Sequence, residues 1–151
     1  MKLRLSFKIT YLTFCCFIAF FIVLGFSEIV IADVALGKKS FRKCKSCHMI
    51  KTDSSVFIQK GGKTGPNLWG LKGRVIGSTS YRYGKSIIKV GESGLVWDKK
   101  NFMEYVANPK AFLSSKLNDR AAKSKMSYKL KKKSDAYNIW AYLSSVSLGN
   151  Y

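Results

Sequence analysis

The residues best suited to chemistry are five in a row, Cys44-Lys45-Ser46-Cys47-His48. The spacing C-x-x-C-H reads as a site of covalent haem attachment. Cys44 and Cys47 are three residues apart, so on a helical turn both sulfurs leave from one face. Each can add to one of the two vinyl groups of a haem. His48 follows at once and can bring its imidazole under the ring to take the iron; it is the one histidine of the chain. Two other chemistries use a C-x-x-C pair. A redox disulfide of the thioredoxin type expects a β-α-β surround, and no alternating strand pattern flanks this pair. A structural zinc ion needs about four N or S ligands. Cys15 and Cys16 lie in an apolar N-terminal run, which leaves only Cys44, Cys47 and His48. Haem attachment is the strongest of the three readings.

A haem held by His48 alone keeps one axial position open. Met1 is at the start of the chain, and Met49 adjoins His48 and cannot reach the opposite face. Met103 falls on a helical stretch, where it reads better as core filler. Met126 sits in Lys123-Ser124-Lys125-Met126-Ser127-Tyr128, a stretch that a loop can carry to the distal side. A Met/His pair raises the potential and fills both axial positions. That favours outer-sphere electron transfer over oxygen or peroxide chemistry.

The elements that must position these groups are helical. Asp33 can cap a helix running to about Cys47, and residues 81–90 read as a short helix ended by Gly91 and Gly94. Asp98 caps a helix from Lys99 to about Asn108. Pro109 cannot continue it but suits the first turn of the next, capped by Asn108 and running to Leu117. Residues 120–133 read as basic coil. Ser134 caps a last helix on which Ala136, Ile139, Trp140, Leu143 and Val146 recur at three- and four-residue steps. Gly61-Gly62 and Thr64-Gly65-Pro66-Asn67-Leu68 read as turns. No strand-like alternation of any length is visible. The expected class is all-α, several short helices with long loops wrapped around one haem, which supplies the apolar centre of the core.

Residues 1–32 stand apart. Lys2, Arg4 and Lys8 precede a nearly unbroken apolar run from Ile9 to Phe26, and Val30-Ile31-Ala32 offers a cleavage site. The segment reads as an export signal or, since a bilayer takes roughly 20 apolar residues, as an uncleaved membrane anchor. Residues 33–151 are then the working domain. Of 27 basic and 8 acidic side chains, residues 1–32 hold three and one, so residues 33–151 carry a net +17. Such a surface attracts acidic proteins, anionic lipid or nucleic acid. No nucleic-acid motif is present, so an acidic docking partner or the membrane surface remains.

Taken together these words resemble one family, the class I c-type cytochromes, the bacterial relatives of mitochondrial cytochrome c. Gly37-Lys38-Lys39-Ser40-Phe41 with Cys44 to His48 resembles its first helix and haem site. Thr64 to Leu68 resembles its proximal turn, in which the Pro66 carbonyl would accept the second imidazole proton of His48. Gly73-Arg74 and Tyr83 resemble residues that hold one propionate, and Trp97 resembles a buried indole that reaches a propionate. Tyr105 with Asn108-Pro109 resembles the distal helix whose tyrosine touches the methionine sulfur, and Ser124-Lys125-Met126 resembles the ligand loop. Residues 52–60 look inserted, and residues 111–122 are longer than in compact members.

The resemblance implies a cytochrome c fold and one covalent haem c on Cys44 and Cys47, attached outside the cytoplasm. It implies His48 and Met126 as iron ligands. It also implies a monomeric periplasmic carrier of single electrons, not an enzyme, passing them from a cytochrome bc complex to a terminal oxidase. Lys43, Lys45, Lys63, Lys123, Lys125 and Lys129 are the expected docking charges. Two alternatives have other sequence consequences. A membrane-anchored donor or oxidase-associated subunit keeps residues 1–32, and a haem peroxidase or gas-binding protein needs an open distal position.

Overall fold

The computed structural model describes residues 32–148. The export signal or anchor expected at residues 1–32 therefore lies, but for Ala32, outside the described residues. Among the described residues there are five α-helices: α1 (Val34–Ser40), α2 (Lys85–Glu92), α3 (Lys99–Ala107), α4 (Pro109–Leu117) and α5 (Lys133–Ser147). Among the described residues no helix is long and apolar enough to cross a membrane.

The closest pairing is α1 on α5. It is possible because residue 37 is glycine: a Cβ there would lie 2.0 Å from the Asn138 carbonyl oxygen. Asn138 also turns its side-chain oxygen to the Asp33 amide at 3.0 Å, while Asp33 caps α1 by accepting from the Leu36 amide at 2.9 Å. Phe41 then meets Tyr142 edge-on at 5.8 Å. Phe41, Ile139, Leu143 and Val146 are fully buried at this crossing, and each such side chain contributes roughly 1.5–3 kcal/mol by leaving water.

The junction of α3 and α4 follows the sequence closely. Asp98 caps α3 through the Asn101 amide at 2.7 Å. Asn108 ends α3 in extended backbone and caps α4, with Pro109 in its first turn where a missing N–H costs nothing. Asn118 closes α4 at φ 49°.

Elsewhere the structure departs from the expectation. The first helix stops at Ser40, tightens into a 3-10 turn at Phe41–Lys43, and gives way to turns through the cysteine motif. The helix expected over residues 81–90 begins at Lys85, after Gly84 in extended backbone; Tyr81 and Tyr83 are held outside it by tight backbone turns to the Thr79 and Tyr81 carbonyls, at 2.7 and 2.8 Å, and by their hydroxyl bonds to Thr64 and Thr79. Gly91 lies inside α2, not beyond it; its missing side chain admits the Ile76 carbonyl, which a Cβ would approach to 1.9 Å. Ser134 does not cap the last helix. The helix starts two residues earlier than that cap implies, with Lys132 at its N-cap and no side-chain cap, and Asp135 ties it down instead by accepting from Ser40 Oγ at 3.0 Å and from Lys43 Nζ. A short antiparallel hairpin is also present, β1 (Ile50–Lys51) with β2 (Phe57–Gln59). Its turn and second strand fall in the stretch that looked inserted, residues 52–60, and its first strand lies just before it.

Candidate haem site

A cavity of about 480 Å³ opens where Cys44, Cys47 and His48 meet the loops after them, the helices α3 and α5, and the segment carrying Met126. The chain makes its wall behind His48 mostly from backbone. The amides of Cys47 and His48 both donate to the Cys44 carbonyl, at 3.1 and 2.9 Å, so the motif closes into one turn. Gly62 donates to the Lys45 carbonyl at 2.9 Å and Gly65 to that of Cys47 at 2.8 Å. These two segments approach so closely that only glycine fits: a Cβ at Gly61 would lie 2.0 Å from the His48 carbonyl, and one at Gly65 would lie 2.4 Å from the imidazole Cε1.

His48 donates from Nδ1 to the Pro66 carbonyl at 2.8 Å. A carbonyl can only accept, so the proton is on Nδ1 and Nε2 keeps its lone pair. Burial pulls the imidazole pKa down, and the Pro66 bond partly opposes this. The two sulfurs are not bonded to each other. Burial, with Cys47 beside it, pushes the Cys44 thiol up to about 11. Cys47 is exposed, and the hydroxyls of Thr64 and Ser46 pull its thiol down.

Across the cavity, Met126 is the one methionine of the described residues on the lining; Met49 and Met103 are not. Its backbone is bracketed by one hydroxyl, since Ser124 Oγ accepts from the Met126 amide at 3.1 Å and donates to its carbonyl at 3.0 Å. Lys123 donates its amide to Ser86 Oγ at 3.0 Å, and Lys125 Nζ donates to the Arg82 carbonyl at 2.5 Å. Tyr105 and Trp97 also line the cavity and meet edge-on at 5.2 Å. Burial raises the Tyr105 hydroxyl's pKa and the Ser124 hydroxyl opposes the shift.

Arg74 and Tyr83 reach the same cavity. Tyr83 shares a hydrogen with Thr79 Oγ1 at 2.6 Å. Arg74 donates to the Trp69 carbonyl at 2.6 Å and the Asn67 carbonyl at 3.2 Å. Burial pulls its pKa down, because the guanidinium has lost water and gained no carboxylate. Among the described residues no acidic side chain stands on the cavity lining. A desolvated cation facing an apolar hollow calls for an anionic group from outside the chain. An apolar ring bearing carboxylates, with two sulfurs and one imidazole nitrogen on its wall, satisfies that demand, so the residues fit haem. A cluster of three or more His, Cys, Asp or Glu fit for a bare metal ion is absent among the described residues.

All nine residues singled out from the sequence thus come to one place: Cys44, Cys47, His48, Pro66, Arg74, Tyr83, Trp97, Tyr105 and Met126. The sequence did not disclose Tyr81, which lines the cavity, donates to the Thr64 carbonyl at 2.5 Å and stands edge-on to Tyr83 at 5.0 Å. Its position two residues before Tyr83 was the available signal. Of the six lysines expected to dock partners, Lys43 is engaged by Asp135 and Lys125 by the Arg82 carbonyl, while Lys45, Lys63, Lys123 and Lys129 are exposed.

A scan against family models finds no match. Individual proteins do match. The chain is 54% identical over 115 residues to cytochrome c-551 of Roseobacter denitrificans, covering 76% of this chain and 81% of that protein. It is 44% identical over 119 residues to cytochrome c2 of Cereibacter sphaeroides, covering 77% and 96%. Among solved structures, ferric cytochrome c-550 of Paracoccus versutus superposes with a TM-score of 0.73 at 43% identity, covering 78% of this chain and 99% of that one.

Proposed function

Since the chain belongs to the class I c-type cytochromes, electron carriers with one covalently bound haem c, we propose that it shuttles single electrons in the periplasm from a quinol-oxidising cytochrome bc complex to a terminal oxidase. The observation that carries this reading is the closed set of donors on one cavity: His48 with Nε2 uncommitted, Met126, and the sulfurs of Cys44 and Cys47. In this reading Cys44 and Cys47 would form the thioethers, and His48 and Met126 would hold the iron. Arg74, Tyr83 and Trp97 serve the propionates, and Tyr105 supports the methionine. Bound haem supplies the one-electron couple of its iron.

The chain's own part would be to offer His48 and Met126 to the iron and keep water out, so that few atoms move as charge changes. Met126 sets the potential high by favouring the reduced iron. Residues 1–32 act as an export signal and are removed, leaving a monomer. Its lysines, with a net +17 over residues 33–151, steer it to acidic faces of both partners.

The test is the second-order rate of oxidation of the reduced protein by an oxidase preparation, across a range of ionic strength. Steering predicts a rate that falls as salt rises. A level or rising rate overturns the docking half of the proposal. Failure of a quinol-fed bc complex to reduce the protein overturns the route.

A further inference from the structure

Asn67 read from the sequence as part of a turn, yet its side chain is gripped at three points. Its Oδ1 accepts from the amides of Lys51 at 3.0 Å and Trp69 at 3.1 Å, and its Nδ2 donates to the Lys51 carbonyl at 2.6 Å. Two of those bonds reach β1, the first strand of the hairpin. Its own carbonyl accepts from Arg74 Nη2 at 3.2 Å.

The consequence lies one bond away. The carbonyl that receives the His48 Nδ1 proton belongs to Pro66, and the plane of that peptide is shared with Asn67. The orientation of that plane is set by Pro66 ψ and Asn67 φ, since proline fixes only its own φ. The three side-chain bonds hold Asn67 in place and so restrain the Asn67 end of the plane. We propose that Asn67 is a positioning residue for the proximal ligand: by locking the Pro66–Asn67 peptide it fixes the strength of the His48–Pro66 hydrogen bond, and through it the basicity of Nε2 and the iron's potential. A second partner on the other nitrogen orients a ligating imidazole and raises its basicity. A more basic imidazole favours the oxidised iron, so loosening the bond raises the potential. The hairpin thereby becomes a brace for the redox centre. This inference rests on the reading of His48 as the iron ligand.

The experiment compares holoprotein of the wild type, Asn67→Ala, Asn67→Asp and Asn108→Ala. Redox titration gives the midpoint potential, and proton NMR gives the exchange rate of the His48 Nδ1 hydrogen. Asn67→Ala is expected to raise the potential and to speed that exchange about tenfold, the change that one lost amide–carbonyl clamp of ordinary strength brings. Asn67→Asp keeps the oxygen that accepts from Lys51 and Trp69 and loses only the donor; its exchange is expected between the two, which serves if Asn67→Ala does not fold. Asn108→Ala removes the α4 cap and lowers the melting temperature without touching either readout. Unchanged potential and exchange in the Asn67 variants overturn the inference, as does an equal change in Asn108→Ala. A wild type with no Nδ1 proton signal and no imidazole ligation would instead overturn the reading of His48.

Discussion

The two walls of the cavity are fastened by different means. Behind His48, backbone binds backbone: the Cys44 carbonyl takes two amides, and Gly62 and Gly65 donate to Lys45 and Cys47. Around Met126, residues 123–131 are fastened mainly by side chains, through Ser86, Ser124 and Lys125, with one backbone bond among the described residues, from Leu130 to Val106 at 2.8 Å. Backbone contact at van der Waals range leaves no room for a Cβ, so the first wall dictates residue types. A side-chain bond can be lost singly, so the second wall opens locally before the first yields. The Met126 side is therefore the one that should fail first and reversibly.

The comparison can be broken by substitution. Gly65→Val puts a Cβ 2.4 Å from the His48 ring and is expected to abolish recovery of haem-bearing protein, read from the absorbance of cell extracts; normal recovery would contradict the backbone account. Met126→Ala should keep the covalent haem, lose the low-spin spectrum and lower the potential. A low-spin spectrum with the thioether band intact would show that another group holds the iron. Gly37→Ala tests the α1–α5 crossing, where the new Cβ would lie 2.0 Å from Asn138 O. Overpacking there should cost about 1–3 kcal/mol in denaturant unfolding. Ser86→Ala removes one bond of the distal wall, about 1 kcal/mol, and should speed hydrogen exchange at Lys123 while leaving Gly62 and Gly65 protected.

The smallest effect concerns pH. Lys43, with Ser40 behind it, holds the Asp135 carboxyl below the usual carboxylate value. A depressed folded pKa gives stability that is complete above the unfolded pKa and is lost as pH falls through the folded one. Asp135→Asn should flatten that acid limb of the melting curve and leave neutral-pH spectra unaltered.

These walls also explain what the sequence could reveal. The His48 side is written in residues with steric meaning, C-x-x-C-H, Gly65 and Pro66, so its turn was legible from spacing alone. Met126 was found by eliminating the other methionines, yet the hydroxyl of Ser86 that anchors its loop lies 37 residues away, beyond any local pattern. The hairpin was invisible because strands of two and three residues show no alternation. Gly91 read as a helix terminator because a glycine admitted for close packing looks the same in sequence as one that ends a turn. Ser134 offered a good capping side chain, and the long-range tie from Asp135 to Ser40 overrode it.

The most direct measurement is the mass of protein made in a host able to attach haem, intact and after digestion. The account predicts the polypeptide plus one haem, with the extra mass staying on the fragment that contains Cys44 and Cys47. A colourless product of bare polypeptide mass, with both thiols free to react, would contradict it.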